Sequence, residues 1–406
     1  MNYLISAYSV NPYNGSEDGV GWNWVLQYEK NYKPGDRIIV LTKKCNEEAT
    51  RRGIKEFGIQ HVELAVCDVP SWLNWHREKY SMFHHMYYIL WQHWAWRWVK
   101  HSKIKFDVIH HVTMGDYRII GEMYKAKGAK TIFGPVGGAQ VTPKSLMKYE
   151  KKKLLAMFRT AVNRSCSFNP FYIRGIRKFT YVFPSNRETY EQLVSIRGKE
   201  NTSQMVEIGI FDEYKYLDIE KKPKEKVKIL YAGRLIEKKG VVFLIEIASK
   251  LRERLDYQLE MCGGGYLEPV VRKMIQDYHL EQQVILHTDK THNEMLSEYA
   301  DADIFIMPSL RETGGTVLIE AMANKIPIVA LDMSFSSTLK EQGCGIFINT
   351  EQSLDDIKED FCKSIIQLAH DPALRETYGE NGYQFANREL TWETKYQTVL
   401  GSISDR

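Results

Sequence analysis

The sequence predicts an α/β protein built from two Rossmann-like, doubly wound domains that face an interdomain cleft. Two observations carry this. Short β runs alternate with helical segments almost from end to end, and the alternation restarts after a charged stretch at residues 218–228. A length of 406 residues with 44% hydrophobic and 26% charged side chains suffices for two separate cores.

The elements run as follows. Tyr3–Tyr8 reads as a strand, a glycine-bearing loop follows, and Val20–Lys30 reads as a helix. Further β runs are Arg37–Leu41, Val62–Val66, Val108–Val112, Lys130–Phe133, Thr180–Phe183 and Met205–Ile208. The stretch Lys221-Lys222-Pro223-Lys224-Glu225-Lys226 reads as part of a linker. Val227–Ala232 opens the second series, with Leu259–Cys262, Val284–His287, Asp303–Met307 and Ile326–Leu331 after it. Thr391–Ser402 reads as a last helix. The expected organisation is a domain over 1–210, a linker over 211–226, a second domain over 227–385, and a terminal segment over 386–406 packing back on the first domain.

Bulk properties exclude several classes. A net charge of +4 argues against a general nucleic-acid binder. Six scattered cysteines without a Cys-x-x-Cys pair point to free thiols in a reducing cytoplasm. Met1-Asn2-Tyr3-Leu4-Ile5-Ser6 enters a strand without a basic leader, and no uncharged apolar run would span a bilayer, so a cytoplasmic protein is expected.

The chemistry concentrates in Met307–Met322. An apolar strand runs into a loop bearing Glu312, Gly314 and Gly315, and a helix follows that carries Glu320. On a single helix the two glutamates, eight positions apart, would point roughly 80° from each other. The glycines place the helix start between them instead. Backbone amides of Gly315 and Thr316 then favour an anion, and the acids reach hydroxyl-rich groups on either side. An ordinary helix start with one solvated acid and one acid in a surface pair would use the same residues. The context speaks against that reading. Gly233-Arg234-Leu235-Ile236-Glu237-Lys238-Lys239-Gly240 leaves the first strand of the second series, and in a parallel sheet both exits share one edge. Arg234 offers a planar fork to a diphosphate, and a lysine adds a point charge.

These motifs together resemble the retaining glycosyltransferases of family GT4, which have the GT-B fold. Gly-Arg-Leu…Lys-Gly is followed by Pro-Ser…Glu-x7-Glu-Ala-Met, and the likeness is strongest from Val227 to about Gly345. It includes Cys262-Gly263-Gly264-Gly265, Tyr299-Ala300-Asp301-Ala302-Asp303 and Pro327-Ile328-Val329-Ala330. The resemblance implies that 227–385 binds a nucleotide-sugar donor and 1–210 the acceptor. It implies that Arg234 and Lys239, with Gly233 beside them, hold the donor diphosphate, that Glu312 contacts the sugar, that Glu320 contacts the ribose, and that main-chain groups of Gly314, Gly315 and Thr316 take phosphate. Arg234, Lys239 and Glu312 are the expected catalytic residues.

The first half fits more loosely. Gly15-Ser16-Glu17-Asp18-Gly19-Val20-Gly21 is similar to the glycine loop that closes on the diphosphate in this family, which makes Gly15 a donor candidate and Glu17 an acceptor candidate. Gly134-Pro135-Val136-Gly137-Gly138 resembles a bacterial subgroup and adds Gly137 and Gly138 on the acceptor side. Many members place a histidine after the strand that here reads Thr131–Val136, and none is present. His111 is the candidate replacement, although a core histidine would read the same way.

Asp301-Ala302-Asp303 matches a metal-binding string of other transferases but sits at the strand start, opposite the ligand edge, so no metal is assigned. Six of nine tryptophans lie between Trp72 and Trp98, and Phe83, Tyr87, Leu90, Trp91, Trp94 and Trp98 keep helical spacing. From Lys144 to Lys178 ten basic residues face one acid, Glu150. Both segments suit an anionic membrane surface or a lipid-linked acceptor, or else a core helix beside a solvated basic face. The expected function is transfer of a sugar from a nucleotide-diphosphate donor, UDP-sugar foremost, to a saccharide or lipid-linked acceptor in surface polysaccharide or glycoconjugate assembly. The enzyme would need no further cofactor and would work in the cytoplasm or peripherally on the inner membrane face. A sugar-nucleotide epimerase and a silent binding subunit of the same fold remain the alternatives.

Overall fold

The computed structural model describes residues 1–73, 84–210, 225–312 and 314–404. The chain forms two compact units. Unit 1 takes Met1–Ala139, Val162–Glu207 and Trp392–Arg406, and unit 2 takes Gln140–Ala161 and Ile208–Thr391.

In chain order up to residue 210 the elements are β1 (Asn2–Ser6), α1 (Ser16–Lys30), β2 (Arg37–Thr42), α2 (Glu47–Glu56), β3 (Val62–Val66), α3 (His84–His101), β4 (Val108–His111), β5 (Lys130–Val136), α4 (Lys153–Ser165), α5 (Pro170–Ile176), β6 (Tyr181–Pro184) and α6 (Arg187–Arg197). The six strands form one parallel sheet in the order β3-β2-β1-β4-β5-β6. Runs such as Ile38-Ile39-Val40-Leu41 are buried throughout, as a sheet with helices on both faces requires. Unit 1 is completed by α14 (Trp392–Ser404). Trp392 packs edge-on to Trp24 at 5.8 Å and Tyr396 to Tyr28 at 5.1 Å. The ammonium of Lys395, fully buried, donates to the Val206 carbonyl at 2.6 Å.

Unit 2 follows the same plan with β7 (Val227–Ala232), α7 (Val241–Leu251), β8 (Tyr257–Cys262), α8 (Glu268–Asp277), β9 (Val284–His287), α9 (His292–Asp301), β10 (Ile304–Met307), α10 (Thr316–Ala323), β11 (Ile328–Leu331), α11 (Phe335–Glu341), β12 (Gly345–Ile348), α12 (Leu354–His370) and α13 (Pro372–Glu389). Its sheet order is β12-β11-β10-β7-β8-β9, again all parallel. In each sheet the order reverses beside the first strand of the unit. The crevices at the carboxyl ends of β1/β4 and β7/β10 are therefore where this topology presents a ligand site. A core of Ile229, Phe243, Leu244, Ile304, Ile306 and Phe361 holds the second sheet to its helices.

Several expectations need correction. Met205–Ile208 is not a strand: Met205 N–H makes a single bond to the Pro184 carbonyl at 2.9 Å, and the chain then leaves the sheet edge. β12 was not anticipated, because its four residues begin at a glycine and show no alternation. The loop expected over 15–21 ends at Gly15, and α1 begins at Ser16. Gly21 lies inside that helix because a Cβ there would sit 2.0 Å from the Ser9 carbonyl oxygen, so only glycine lets α1 lie against the chain leaving β1.

Residues 140–161, expected with the first half, group with unit 2. Leu146 is buried in that core, Tyr149 donates to Glu246 at 2.7 Å, and Ser145 donates to the Thr350 carbonyl at 2.9 Å. Most of the linker expected over 211–226 lies outside the described residues, as do Trp75 and Phe83. The aromatic face of α3 belongs to the core of unit 1: Tyr87, Tyr88, Trp91 and Ala95 are buried, with Leu90, Trp94, Trp96 and Trp98 packed against them. The exposed apolar side chains cluster instead on α4, at Leu154, Leu155, Met157 and Phe158. No helix among the described residues is long and apolar enough to cross a membrane.

Candidate functional site

The exits of β7 and β10 meet at the topological switch of unit 2. Backbone bonds fix the first exit: Gly233 N–H to the Cys262 carbonyl and Leu235 N–H to the Gly264 carbonyl, both 2.9 Å. The second exit docks on the first through Leu310 N–H to the Lys238 carbonyl at 2.9 Å. Gly240 caps α7 in the left-handed region at φ 69°, and a Cβ there would sit 2.1 Å from the Pro308 carbonyl oxygen. The spacing Lys239-Gly240 thus brings the lysine beside the β10 exit.

The residues expected from the sequence in unit 2 are all on this edge. The Lys239 ammonium pairs with the Glu312 carboxylate, which also accepts from the Ser309 hydroxyl at 3.4 Å. The side chains of Lys239 and Glu312 are only 17% and 13% exposed, so the pair is largely screened from water. Arg234 follows Gly233 and is exposed, and its guanidinium makes no bond to another described residue. Gly314 and Gly315 are buried, and Gly315, at φ 58°, precedes the first helical residue Thr316. No side chain caps α10, which leaves first-turn amides and the positive end of the helix for a ligand anion. Glu312 lies in the loop and Glu320 one turn inside the helix, where its carboxylate accepts from the Tyr299 hydroxyl at 2.5 Å.

Sequence reasoning missed three contributors here. Lys238 keeps solvent contact, yet its ammonium is held below the ordinary lysine range, first by partial burial and then by the Lys239 charge, with Arg234 and Arg311 acting the same way and Glu312 opposing. Arg311 and Lys238 stood inside the quoted motifs, and a count of charge along both loops would have found them. Tyr299 stood in the quoted Tyr299-Ala300-Asp301 string, but nothing local signalled that its hydroxyl reaches Glu320. The edge therefore gathers Arg234, Lys238 and Lys239 around a helix start with two carboxylates at fixed positions, while Arg311 beside them is paired with Glu150. Such an arrangement suits a diphosphate that carries hydroxyl-rich groups at both ends.

Asp301 and Asp303 are used differently. The Asp303 carboxylate accepts from Lys228 N–H at 2.9 Å, and Asp301 pairs with the Lys228 ammonium at 2.9 Å. Among the described residues no group of three or more His, Cys, Asp or Glu side chains is placed to hold a metal ion.

In unit 1 the β1/β4 switch carries the other candidates. Gly15 is exposed just before α1. The Glu17 carboxylate accepts from Met114 N–H at 2.9 Å, and burial pushes its carboxyl above the usual range while that N–H pulls it down. Gly137 exchanges backbone bonds with the β4 exit, its N–H to the Gly115 carbonyl at 2.6 Å and Tyr117 N–H to its own carbonyl at 3.0 Å. Gly138 lies beside the Asp116–Arg118 pair. His111 is not available for the role expected of it. It is 2% exposed, Nδ1 lies 3.0 Å from the Ser6 hydroxyl, and Nε2 lies 2.7 Å from the Tyr88 hydroxyl. Burial drives its pKa down to about 4, so it is a neutral core side chain with both ring nitrogens engaged.

Comparisons with known proteins bear on the family and the fold. The family "Glycosyl transferases group 1" matches residues 212–385. The alpha-D-kanosaminyltransferase of Streptomyces kanamyceticus is 30% identical over 155 residues, 38% of this chain and 39% of that protein. The capsular polysaccharide biosynthesis glycosyltransferase CapM of Staphylococcus aureus is 28% identical over 178 residues, 42% of this chain and 46% of that protein. The chain thus spans less than half the length of these curated relatives. Among solved structures, HepE of Anabaena in complex with UDP and glucose superposes with a TM-score of 0.61 at 14% identity, covering 100% of both chains. Residues 212–385 thus match the group 1 glycosyl transferases, in a chain whose two parallel sheets have the GT-B fold.

Proposed function

We propose that the protein is a retaining glycosyltransferase that moves a sugar from a nucleotide-diphosphate donor to a saccharide or lipid-linked acceptor in surface polysaccharide or glycoconjugate assembly. The observation that carries the reading is the convergence of Arg234, Lys239, Glu312 and the uncapped start of α10 on the β7/β10 edge. The donor's diphosphate takes the guanidinium of Arg234, the ammonium of Lys239 and the amides at Gly315 and Thr316. Glu312 orients the sugar, and Glu320, held by Tyr299, takes the ribose. UDP is the proposed nucleotide, in line with the HepE complex.

In the reaction the bond from the anomeric carbon to the diphosphate oxygen breaks while an acceptor hydroxyl forms its bond on the same face. The hydroxyl proton passes to the departing phosphate oxygen, so no separate base is needed, and His111 takes no part. Negative charge grows on the leaving diphosphate, and fixed cations with helix amides stabilise it without reorganisation. That source of charge stabilisation is why the proposal assigns no metal. The acceptor is proposed to bind unit 1 near Glu17, Gly137 and Gly138. A lipid-linked acceptor fits α4, whose exposed Leu154, Leu155, Met157 and Phe158 follow Lys151, Lys152 and Lys153, a composition suited to peripheral contact with an anionic membrane.

The test is a hydrolysis screen across UDP-, GDP- and dTDP-sugars, with the released nucleotide and the configuration of the sugar both determined. Release of nucleoside diphosphate from one donor supports the proposal. Recovery of an epimerised donor, or tight binding with no turnover, would replace it by an epimerase or a binding subunit.

A further inference from the structure

Arg311 directly precedes Glu312, yet its guanidinium points to a different partner. Its Nη2 pairs with Glu150 Oε1 at 3.0 Å, with the two side chains 20% and 7% exposed. Thr142 donates its hydroxyl to the same carboxylate oxygen at 2.5 Å. Glu150 closes a segment tied firmly into unit 2. Leu146 is buried in its core, Tyr149 packs on Phe243 at 5.4 Å, and Lys151 reaches Glu237 at 3.6 Å. The loop that carries Glu312 is thus held at Leu310 and Arg311 by the Lys238 carbonyl, at Glu312 by Lys239, and at the Arg311 side chain by a carboxylate from far earlier in the sequence.

We infer that Glu150 is a positioning residue for the donor site: through Arg311 it holds the β10 exit loop so that Glu312 faces the donor. An unpaired Arg311 would be a largely buried cation repelled by Lys238, Lys239 and Arg234, and the loop would shift to bring it to water. Glu150 does not itself touch the donor. Its loss leaves the diphosphate contacts of Arg234 and Lys239 in place and disturbs only the orientation set by Glu312. That predicts an effect on turnover rather than on donor binding. The inference rests on the proposed transferase reading for its kinetic arm only.

The test compares Glu150→Gln with the double variant Glu150→Gln/Arg311→Gln in the full-length protein. The double variant removes the stranded charge and keeps the shape, so it guards against simple misfolding. Amide hydrogen exchange of residues 308–315 in the ligand-free protein is expected to rise about tenfold or more in Glu150→Gln and less in the double variant. With the donor found by the screen, kcat is expected to fall about tenfold or more in both variants, with donor KM changed less than about threefold. Unchanged exchange in Glu150→Gln overturns the inference whatever the kinetics. Equal losses in KM and melting temperature, with kcat preserved, overturn it in favour of a purely structural pair. Faster exchange in a protein that turns over no donor would instead leave the loop contact standing and remove the transferase reading.

Discussion

The Lys239 ammonium and the Glu312 carboxylate, 73 positions apart, form an ion pair that bridges the exits of two adjacent parallel strands. The pair sets the ligand-free state of the edge. Each member neutralises the other, and in the proposed reaction a diphosphate draws the lysine and a sugar draws the acid. Lys239→Ala should lower kcat/KM about a hundredfold to a thousandfold, as loss of a preorganised donor to a growing oxyanion does. Initial rates with the donor from the hydrolysis screen check this, and a loss below tenfold would refute the role given to Lys239.

Gly240→Ala tests the seat of that pair. The added methyl would meet the Pro308 carbonyl oxygen at 2.1 Å, on a residue held at φ 69°. Strain and the forced separation of the two exits should cost about 1–3 kcal/mol, read as a lower urea midpoint, together with a raised donor KM. An unchanged midpoint would show that the loops give way freely.

The buried histidines make acid stability measurable. His110 and His111 have their pKa values lowered to about 3 and about 4 from 6.5, chiefly by burial. A histidine depressed in the folded state binds its proton more readily once unfolded. Its contribution is therefore complete above pH 6.5 and is lost as the pH falls toward 4. For His111 the loss is at most about 3 kcal/mol. Urea midpoints at pH 7 and pH 5 should differ less in His111→Gln than in the natural protein, while the pH profile of turnover should keep its shape. A changed turnover profile would return His111 to the chemistry.

The α4 face is testable without knowledge of the acceptor. Leu154→Ser with Phe158→Ser alters side chains that are 82% and 65% exposed, so stability should move by no more than about 0.5 kcal/mol per site. Co-flotation with vesicles of anionic lipid should fall about tenfold or more, given the apolar area removed. Equal flotation of both proteins, or none by the natural one, would refute membrane contact through this helix.

All strands except β12 were legible because short runs rich in apolar residues, such as Val227–Ala232 and Arg37–Leu41, have few alternatives, although the same reading added a false strand at Met205–Ile208. The site was legible where it was local. Gly233-Arg234 and Glu312–Thr316 are short strings at strand exits, and the parallel order places those exits together. Contacts made over long sequence separations were not legible. No local pattern marks Glu150 as the partner of Arg311, or Leu146 as a core residue of unit 2, because both depend on where the chain goes after β5. The same holds for His111, where the sequence left open a buried or a reactive imidazole and the Ser6 and Tyr88 hydroxyls decide the matter. The tryptophan-rich α3 was open to a membrane-facing or a core reading, and its large rings fill the core while the smaller α4 side chains are left outside.

The chain passes between its two units after residues 139, 161, 207 and 391. During synthesis unit 1 is therefore begun first and completed last, by α14. Trp392 and Tyr396, which cover Trp24 and Tyr28, leave the ribosome only after all of unit 2. Unit 1 must wait for them with that aromatic surface open, a nascent state that invites chaperone capture.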